Sequence, residues 1–428
     1  MKIAVWHNLP SGGGKRALYD HVRGLVSRGH EVEAWCPPTA DRSYLPLAEI
    51  VPEHVLPLDP VPQSEAEPGG RTPLHRIRWN TWTRLQAMKR HSLECAKQMA
   101  GRKFDLLFAA SCILYHTPVI GRYTDIPSVL YLQEPNRLLY EAQPELLWPA
   151  MAWAGTDLCK PSFWARALER RIQLSKAKFL AREERISALA FDEILVNSFF
   201  SRESVLRVFG INSEVCYLGV DTDRFVNQGK RRESFAVFVG AVLPSKNISF
   251  LIESLSKVQD SLRPKLVLVA NTVDAAYLAT IQGLAQGCGV VLELKHQISD
   301  SEVIDILNRA RLMLYAPRLE PFGYAPLEAC ACGVPVVAVA EGGVRETIKD
   351  GVNGILVEHK PDKMAAAIER LMLDSDLHKG LSAHGQELAK TAWSLDAAID
   401  RLEIRLQAHV KEHSCPTNDD IKVDSVPA

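Results

Sequence analysis

The chain has 428 residues, 47% of them hydrophobic and 24% charged, with a formal net charge of −1. That is enough chain for two or three domains with real cores, and near neutrality removes any general argument for nucleic acid as a partner. The start, Met1-Lys2-Ile3-Ala4-Val5-Trp6-His7, turns polar at once without the apolar region of a signal peptide. No run approaches the ~18–20 apolar residues that span a bilayer, so the expected location is the cytoplasm or the cytoplasmic face of a membrane.

Short apolar runs alternate with longer helical patterns, the mark of parallel α/β sheets. The first half predicts a strand at Lys2–Trp6, the Gly-rich turn Ser11-Gly12-Gly13-Gly14, a helix over 15–28 and a strand at Glu31–Cys36. Residues 37–75, rich in proline, glutamate and serine, read as a long loop or insertion. Further strands are expected at 106–109, 128–131 and 193–196, and Ser198 is placed to cap a helix. Residues 219–234 read as a linker.

The second half restarts with a strand at 236–239, a turn ending in Lys246-Asn247 and a helix from Ile248. Strands at 265–270, 290–294 and 334–339 follow, with a terminal helix at 395–409 and a polar, disordered tail at 411–428. After the apolar run Leu312-Met313-Leu314-Tyr315-Ala316 comes Glu320-Pro321-Phe322-Gly323-Tyr324-Ala325-Pro326-Leu327-Glu328. Pro321 and Gly323 set a turn beyond the strand, and the small residues after Glu328 suit a helix lying close on a sheet. One carboxylate then sits in the turn at the strand's carboxyl end and the second on the new helix, at the edge where open parallel sheets bind ligands.

This E-x7-E arrangement, with its Pro-Phe-Gly and the following Gly333-Val334-Pro335-Val336-Val337, resembles glycosyltransferase family 4. The resemblance implies a GT-B fold, two Rossmann-like domains facing across a cleft: residues 1–218 on the acceptor side, a linker at 219–234, 235–392 for the nucleotide sugar, and a helix at 393–410 crossing back. It implies a retaining, metal-independent hexosyltransferase using a UDP- or GDP-sugar and a glycan or lipid-linked acceptor, with no cofactor. Glu328 matches the family's ribose-binding carboxylate and Glu320 the one that binds the transferred sugar. Lys246 is expected on the donor diphosphate, with Gly342, Gly343 and Val344 offering amides to phosphate oxygens. Gly323, Phe322, Tyr324, Asn271 and Arg318 complete the expected donor side. On the acceptor side stand Gly12, Gly13 and Gly14, and the loop of Gln133, Glu134 and Arg137.

Three departures stand out. Many relatives carry His where Gln133 stands; Gln133 hydrogen-bonds but is no base, and His116, one strand earlier, is the substitute candidate. Relatives often place arginine where Ala241 and Ser245 stand, and Arg318 and Arg345 are the candidates to compensate. These changes keep a non-catalytic sugar-nucleotide-binding partner subunit open as a second reading; a sugar-nucleotide epimerase of the same two-domain form is a further alternative.

Asp221-Thr222-Asp223 has the spelling of a metal-binding Asp-x-Asp, but it falls in the linker, where the family carries a similar Val-Asp-Thr run without a metal. The nine cysteines are odd in number and scattered, and Cys330-Ala331-Cys332 has no Cys/His pair nearby, so all read as reduced thiols. Residues 71–103 carry nine Lys/Arg against Glu94 alone, with Trp79 and Trp82; residues 146–185 add Trp148, Trp153, Phe163, Trp164 and a basic run. Such composition suits an anionic membrane surface or a lipid diphosphate, and equally a solvated helix face with core tryptophans.

Overall fold

The computed structural model describes residues 1–59, 81–141 and 161–414. Two parallel sheets organise it. The first has seven strands: β1 (Lys2–Asn8), β2 (Glu31–Cys36), β3 (Glu53–Val55), β4 (Leu106–Cys112), β5 (Ser128–Tyr131), β6 (Glu193–Val196) and β7 (Glu214–Val215), in the order β3-β2-β1-β4-β5-β6-β7. The second has six: β8 (Phe235–Val239), β9 (Lys265–Ala270), β10 (Leu292–His296), β11 (Leu312–Tyr315), β12 (Val336–Val339) and β13 (Gly354–Val357), in the order β10-β9-β8-β11-β12-β13.

These strands form where apolar runs are buried on both faces. Ile3, Ala4, Val5 and Trp6 are fully inaccessible, as are Leu312, Met313 and Leu314. Such continuous burial is what helices on both sides of a parallel sheet impose. In each sheet the order reverses once, between β1 and β4 and between β8 and β11. Loops leaving the carboxyl ends of such strands are where open α/β sheets bind ligands.

By contact density the chain divides into two compact units. One holds Met1–Tyr131, Ile186–Ile194 and the chain from Asp400; the other holds Leu132–Arg185 and Leu195–Ile399. Within the first, the helix Gly13–Ser27 starts after Gly12, whose φ of 136° no other residue adopts at low cost. Within the second, the helix Phe199–Phe209 is capped by Ser198, whose side chain accepts from Ser201 N–H, and closes on Gly210 in the left-handed region.

The expected strands recur with their bounds shifted by no more than three residues, and three short strands were not expected from the sequence. β3 pairs with β2 inside the segment read as loop or insertion. Its three residues are too few to show alternation, and the register Ala34↔Glu53 through Cys36↔Val55 comes from the neighbour. β7 has two residues, and the glycine-opened β13 is paired along its length to β12. The terminal helix runs Leu395–Ser414, five residues beyond the predicted end, and residues 415–428 lie outside the described residues. So do Arg71, Arg76, Arg78, Trp79, Trp148 and Trp153. No helix among the described residues is long and apolar enough to cross a membrane.

Candidate active site

Lys246 and Glu320 follow the carboxyl ends of β8 and β11, the adjacent strands at the reversal of the second sheet. Lys246 Nζ lies 2.6 Å from Glu320 Oε2, with both side chains largely shielded from solvent. The two loops are also joined through the backbone, since Arg318 N–H donates to Ser245 O at 3.1 Å. Asn247, next to Lys246, has φ 55°, and Leu319, before Glu320, has φ 49°. These are two of the five non-glycine residues with positive φ among the described residues. A leucine there is strained, and strain of this kind collects where a side chain must be aimed.

The Glu320 turn is clamped from the next loop. Gly343 N–H donates to Glu320 O at 2.8 Å. A Cβ on Gly343 would stand 1.9 Å from Pro321 O, and one on Gly342 2.3 Å from Glu320 O. The amide of Gly343 is therefore engaged in holding the Glu320 loop. Arg345 Nε bonds Gly342 O, and Arg318 Nε pairs with Glu341 at 3.0 Å, so both arginines have partners within this loop.

Glu328 sits in the helix Tyr324–Ala331 that starts at Gly323 (φ 92°), and only 4% of it is accessible. Tyr315 closes β11, its ring stacked on Phe238. Burial first, then the charges of Glu320 and Glu328, raise its phenol well above the ordinary value. Tyr315 thus feels both carboxylates of the motif. The sequence reading placed it only in a strand; its position as the last strand residue before the turn was the available signal. Phe322, expected on the donor side, is buried, edge-on to Tyr324 and Trp393. Val344 is likewise buried, whereas Asn271 is exposed after β9.

The loop after β5 belongs to the same compact unit. Arg137 donates to Glu141 at 2.9 Å and to Arg318 O at 2.7 Å, and stands 3.5 Å from Glu134. Burial depresses Arg137's basicity, but Glu134, Glu141 and Glu320 more than offset it. Glu134 is pushed up to about 7, by burial first and by Glu320 and Glu141, against the pull of Arg137 and Lys246. The backbone carbonyl of Gln133 accepts from Ser201 Oγ at 2.8 Å. One unit therefore gathers two cations and three carboxylates: Lys246, Arg137, Glu134, Glu141 and Glu320.

Glu346 lies just beyond the Gly342-Gly343 turn, and no sequence signal singled it out. Its carboxylate accepts from Phe199 N–H (2.8 Å), Phe200 N–H (3.0 Å) and Tyr217 Oη (2.8 Å), completing the cap of the helix Phe199–Phe209.

Gly12, Gly13, Gly14 and His116 belong to the other unit, after the ends of β1 and β4. There Ile113 N–H donates to Asn8 O at 2.7 Å and Cys112 N–H to His116 O at 3.0 Å. Burial lowers the His116 imidazole to about 4. Asp221 Oδ1 accepts from the amides of Asp223 and Arg224, an Asx turn that employs the Asp-x-Asp spelling structurally. Cys330 and Cys332 are buried thiols, both raised to about 12 by burial.

Comparison with known proteins agrees with this geometry. Residues 11–224 match the Glycosyltransferase Family 4 domain and residues 220–388 the Glycosyl transferases group 1 domain. A D-inositol 3-phosphate glycosyltransferase of Geodermatophilus obscurus is 29% identical over 253 residues, 54% of this chain and 55% of that one. A GDP-mannose-dependent alpha-(1-6)-phosphatidylinositol monomannoside mannosyltransferase of Mycobacterium tuberculosis is 26% identical over 238 residues, 49% and 60%. The chain spans about half the length of these curated relatives. Among solved structures, sucrose-phosphate synthase from Thermosynechococcus elongatus aligns at TM-score 0.67 and 17% identity, covering 96% of this chain and 100% of that one. Anabaena HepE in complex with UDP and glucose aligns at 0.65 and 18%, covering 95% and 100%. The architecture is GT-B, and the chain belongs to glycosyltransferase family 4.

Proposed function

We propose that this glycosyltransferase is a retaining, metal-independent hexosyltransferase. It takes a hexosyl unit from a UDP- or GDP-sugar to a hydroxyl of a glycan or lipid-linked glycan. The observation that carries this reading is the Lys246–Glu320 pair, 2.6 Å apart at the reversal of the second sheet. An ammonium there meets a donor diphosphate as a point charge, and its carboxylate partner is then released toward the sugar. Arg137 is the second cation, in place of the arginines lacking at Ala241 and Ser245.

Glu328 accepts hydrogen bonds from the ribose hydroxyls. Glu320 holds the hydroxyls of the transferred sugar and steadies positive charge growing at the anomeric carbon. The bond from that carbon to the β-phosphate oxygen breaks while the acceptor oxygen bonds on the same face. The departing phosphate takes the acceptor's proton, so Gln133 need not be a base. The amides of Gly342 and Val344 carry the remaining phosphate role, since that of Gly343 is engaged.

Both nucleotides stay within the proposal. A HepE structure is a complex with UDP-glucose, and the mycobacterial relative is named GDP-mannose-dependent. The basic segments support peripheral binding to anionic lipid. Trp82 is 61% accessible on the helix Thr81–Ala100; Trp164 (62%) and Leu168 (60%) lie four residues apart on the helix Pro161–Ala188.

The test is calorimetry with UDP, GDP and their sugar conjugates, with and without chelator. One nucleotide family binding equally well in both conditions is the expected result. Binding that needs a divalent ion refutes metal independence, and no binding at all removes the donor site.

A further inference from the structure

The first compact unit contains a cluster that the glycosyltransferase reading does not use: Asp192, His409 and His413. One ligand atom from each lies within 4.8 Å of the others. His409 and His413 are four residues apart on the helix Leu395–Ser414, so both rings leave the same face, with centroids 4.3 Å apart. Asp192 arrives from the residue before β6.

The Nδ1 atom of each ring already has a partner. His409 Nδ1 lies 3.2 Å from Glu193 Oε2, and Glu193 is held in turn by Arg405. His413 Nδ1 donates to His409 O at 2.9 Å. Both rings therefore have Nδ1 engaged, which leaves Nε2 as the nitrogen free to take another partner. His409 is 4% accessible, and its Nε2 is buried with no hydrogen-bond partner. An orphaned buried ring nitrogen of this kind is costly unless something pairs with it. Asp192 has one oxygen, Oδ2, fixed by the N–H and Oγ of Ser128 at 2.8 and 2.9 Å.

We propose that Asp192, His409 and His413 form a binding site for a divalent transition-metal ion of the zinc class. Two imidazoles and a carboxylate are three of the four ligands such an ion takes, with water as the fourth. The Glu193 carboxylate behind His409 is the outer partner that usually fixes a metal-bound imidazole's tautomer. The ion sits in the last turn of its helix, where the carbonyl ends favour positive charge. It ties that helix to the segment leading into β6. A second group, His7, Cys36 and Glu53, also brings its ligand atoms within 4.8 Å of one another but is a different case. There His7 Nε2 is already engaged by Glu53, and the charges of Lys15 and Arg42 act on the same residues.

The experiment is Zn2+ titration of the purified full chain by calorimetry, with Co2+ absorption as the spectroscopic readout and thermal unfolding in parallel. The expected result is one ion per chain, four-coordinate Co2+ bands, and a higher Tm with Zn2+. His413→Ala and Asp192→Asn each weaken binding by at least about 10-fold and remove the Tm gain. His409→Ala empties a buried position and risks the fold, so the exposed His413 carries the test. No stoichiometric binding, or equal binding by His413→Ala, overturns the site.

Discussion

Lys246 Nζ is 2.6 Å from Glu320 Oε2, so the lysine expected on the diphosphate and the carboxylate expected on the sugar neutralise each other. The pairing keeps two partly buried charges satisfied without a ligand. On the proposed reading, donor binding exchanges partners at this pair. Lys246→Ala is expected to lower kcat by roughly 10²–10³, about 2.7–4 kcal/mol for one lost electrostatic donor. Steady-state kinetics with the donor identified by calorimetry checks this, and a loss confined to KM contradicts it.

The two glutamates separate by their burial. Glu328→Ala is expected to abolish nucleotide-sugar binding, whereas Glu320→Ala leaves binding measurable and chiefly lowers kcat. Calorimetry and turnover on both variants decide it. Wild-type behaviour in both would falsify the site assignment.

Gly343→Ala is expected to inactivate the enzyme and lower its Tm, because the new methyl group meets Pro321 O at 1.9 Å and pushes the Glu320 loop away. Gly283→Ala is the control. It lies in the helix Ala275–Gly287 with nothing within 4 Å of the added Cβ, and should stabilise by about 0.5–1 kcal/mol. Thermal unfolding of both variants should move in opposite directions.

Glu184 is buried, and burial raises its carboxyl to about 7. The folded chain then holds a proton that the unfolded chain, with an ordinary carboxyl, has released. This contribution is largest at low pH and is lost as pH rises from about 4.5 through about 7. Glu184→Gln removes the ionisation and is expected to gain up to about 3 kcal/mol over wild type at pH 8, with little change at pH 5. Denaturant melts at the two pH values test it; an equal effect at both contradicts the shifted carboxyl.

Trp82 and Trp164, each more than half exposed among basic neighbours, predict binding to vesicles of anionic lipid that fades with added salt. Trp82→Ala should weaken sedimentation with such vesicles and leave neutral vesicles unaffected. No binding at low salt rules the membrane surface out.

Sequence alone determined the alternation of strands and helices, the two parallel sheets and the pair Glu320 and Glu328. Each is written locally: apolar runs of four to seven residues, a Pro-Phe-Gly turn, a serine at a helix start. The strands β3, β7 and β13 carry too little pattern of their own and exist because a neighbour offers a register. Tertiary structure alone decided that Arg137 joins Lys246 and Glu320, because those residues are 74 or more positions apart and meet only once the chain has folded. It also turned the Gly343 amide toward Glu320 O and buried Phe322. The same holds for Asp192 beside His409 and His413, more than 200 residues away in the chain. Local periodicity specifies what an element is, whereas which side chains meet depends on strand order and close approach that no single segment encodes.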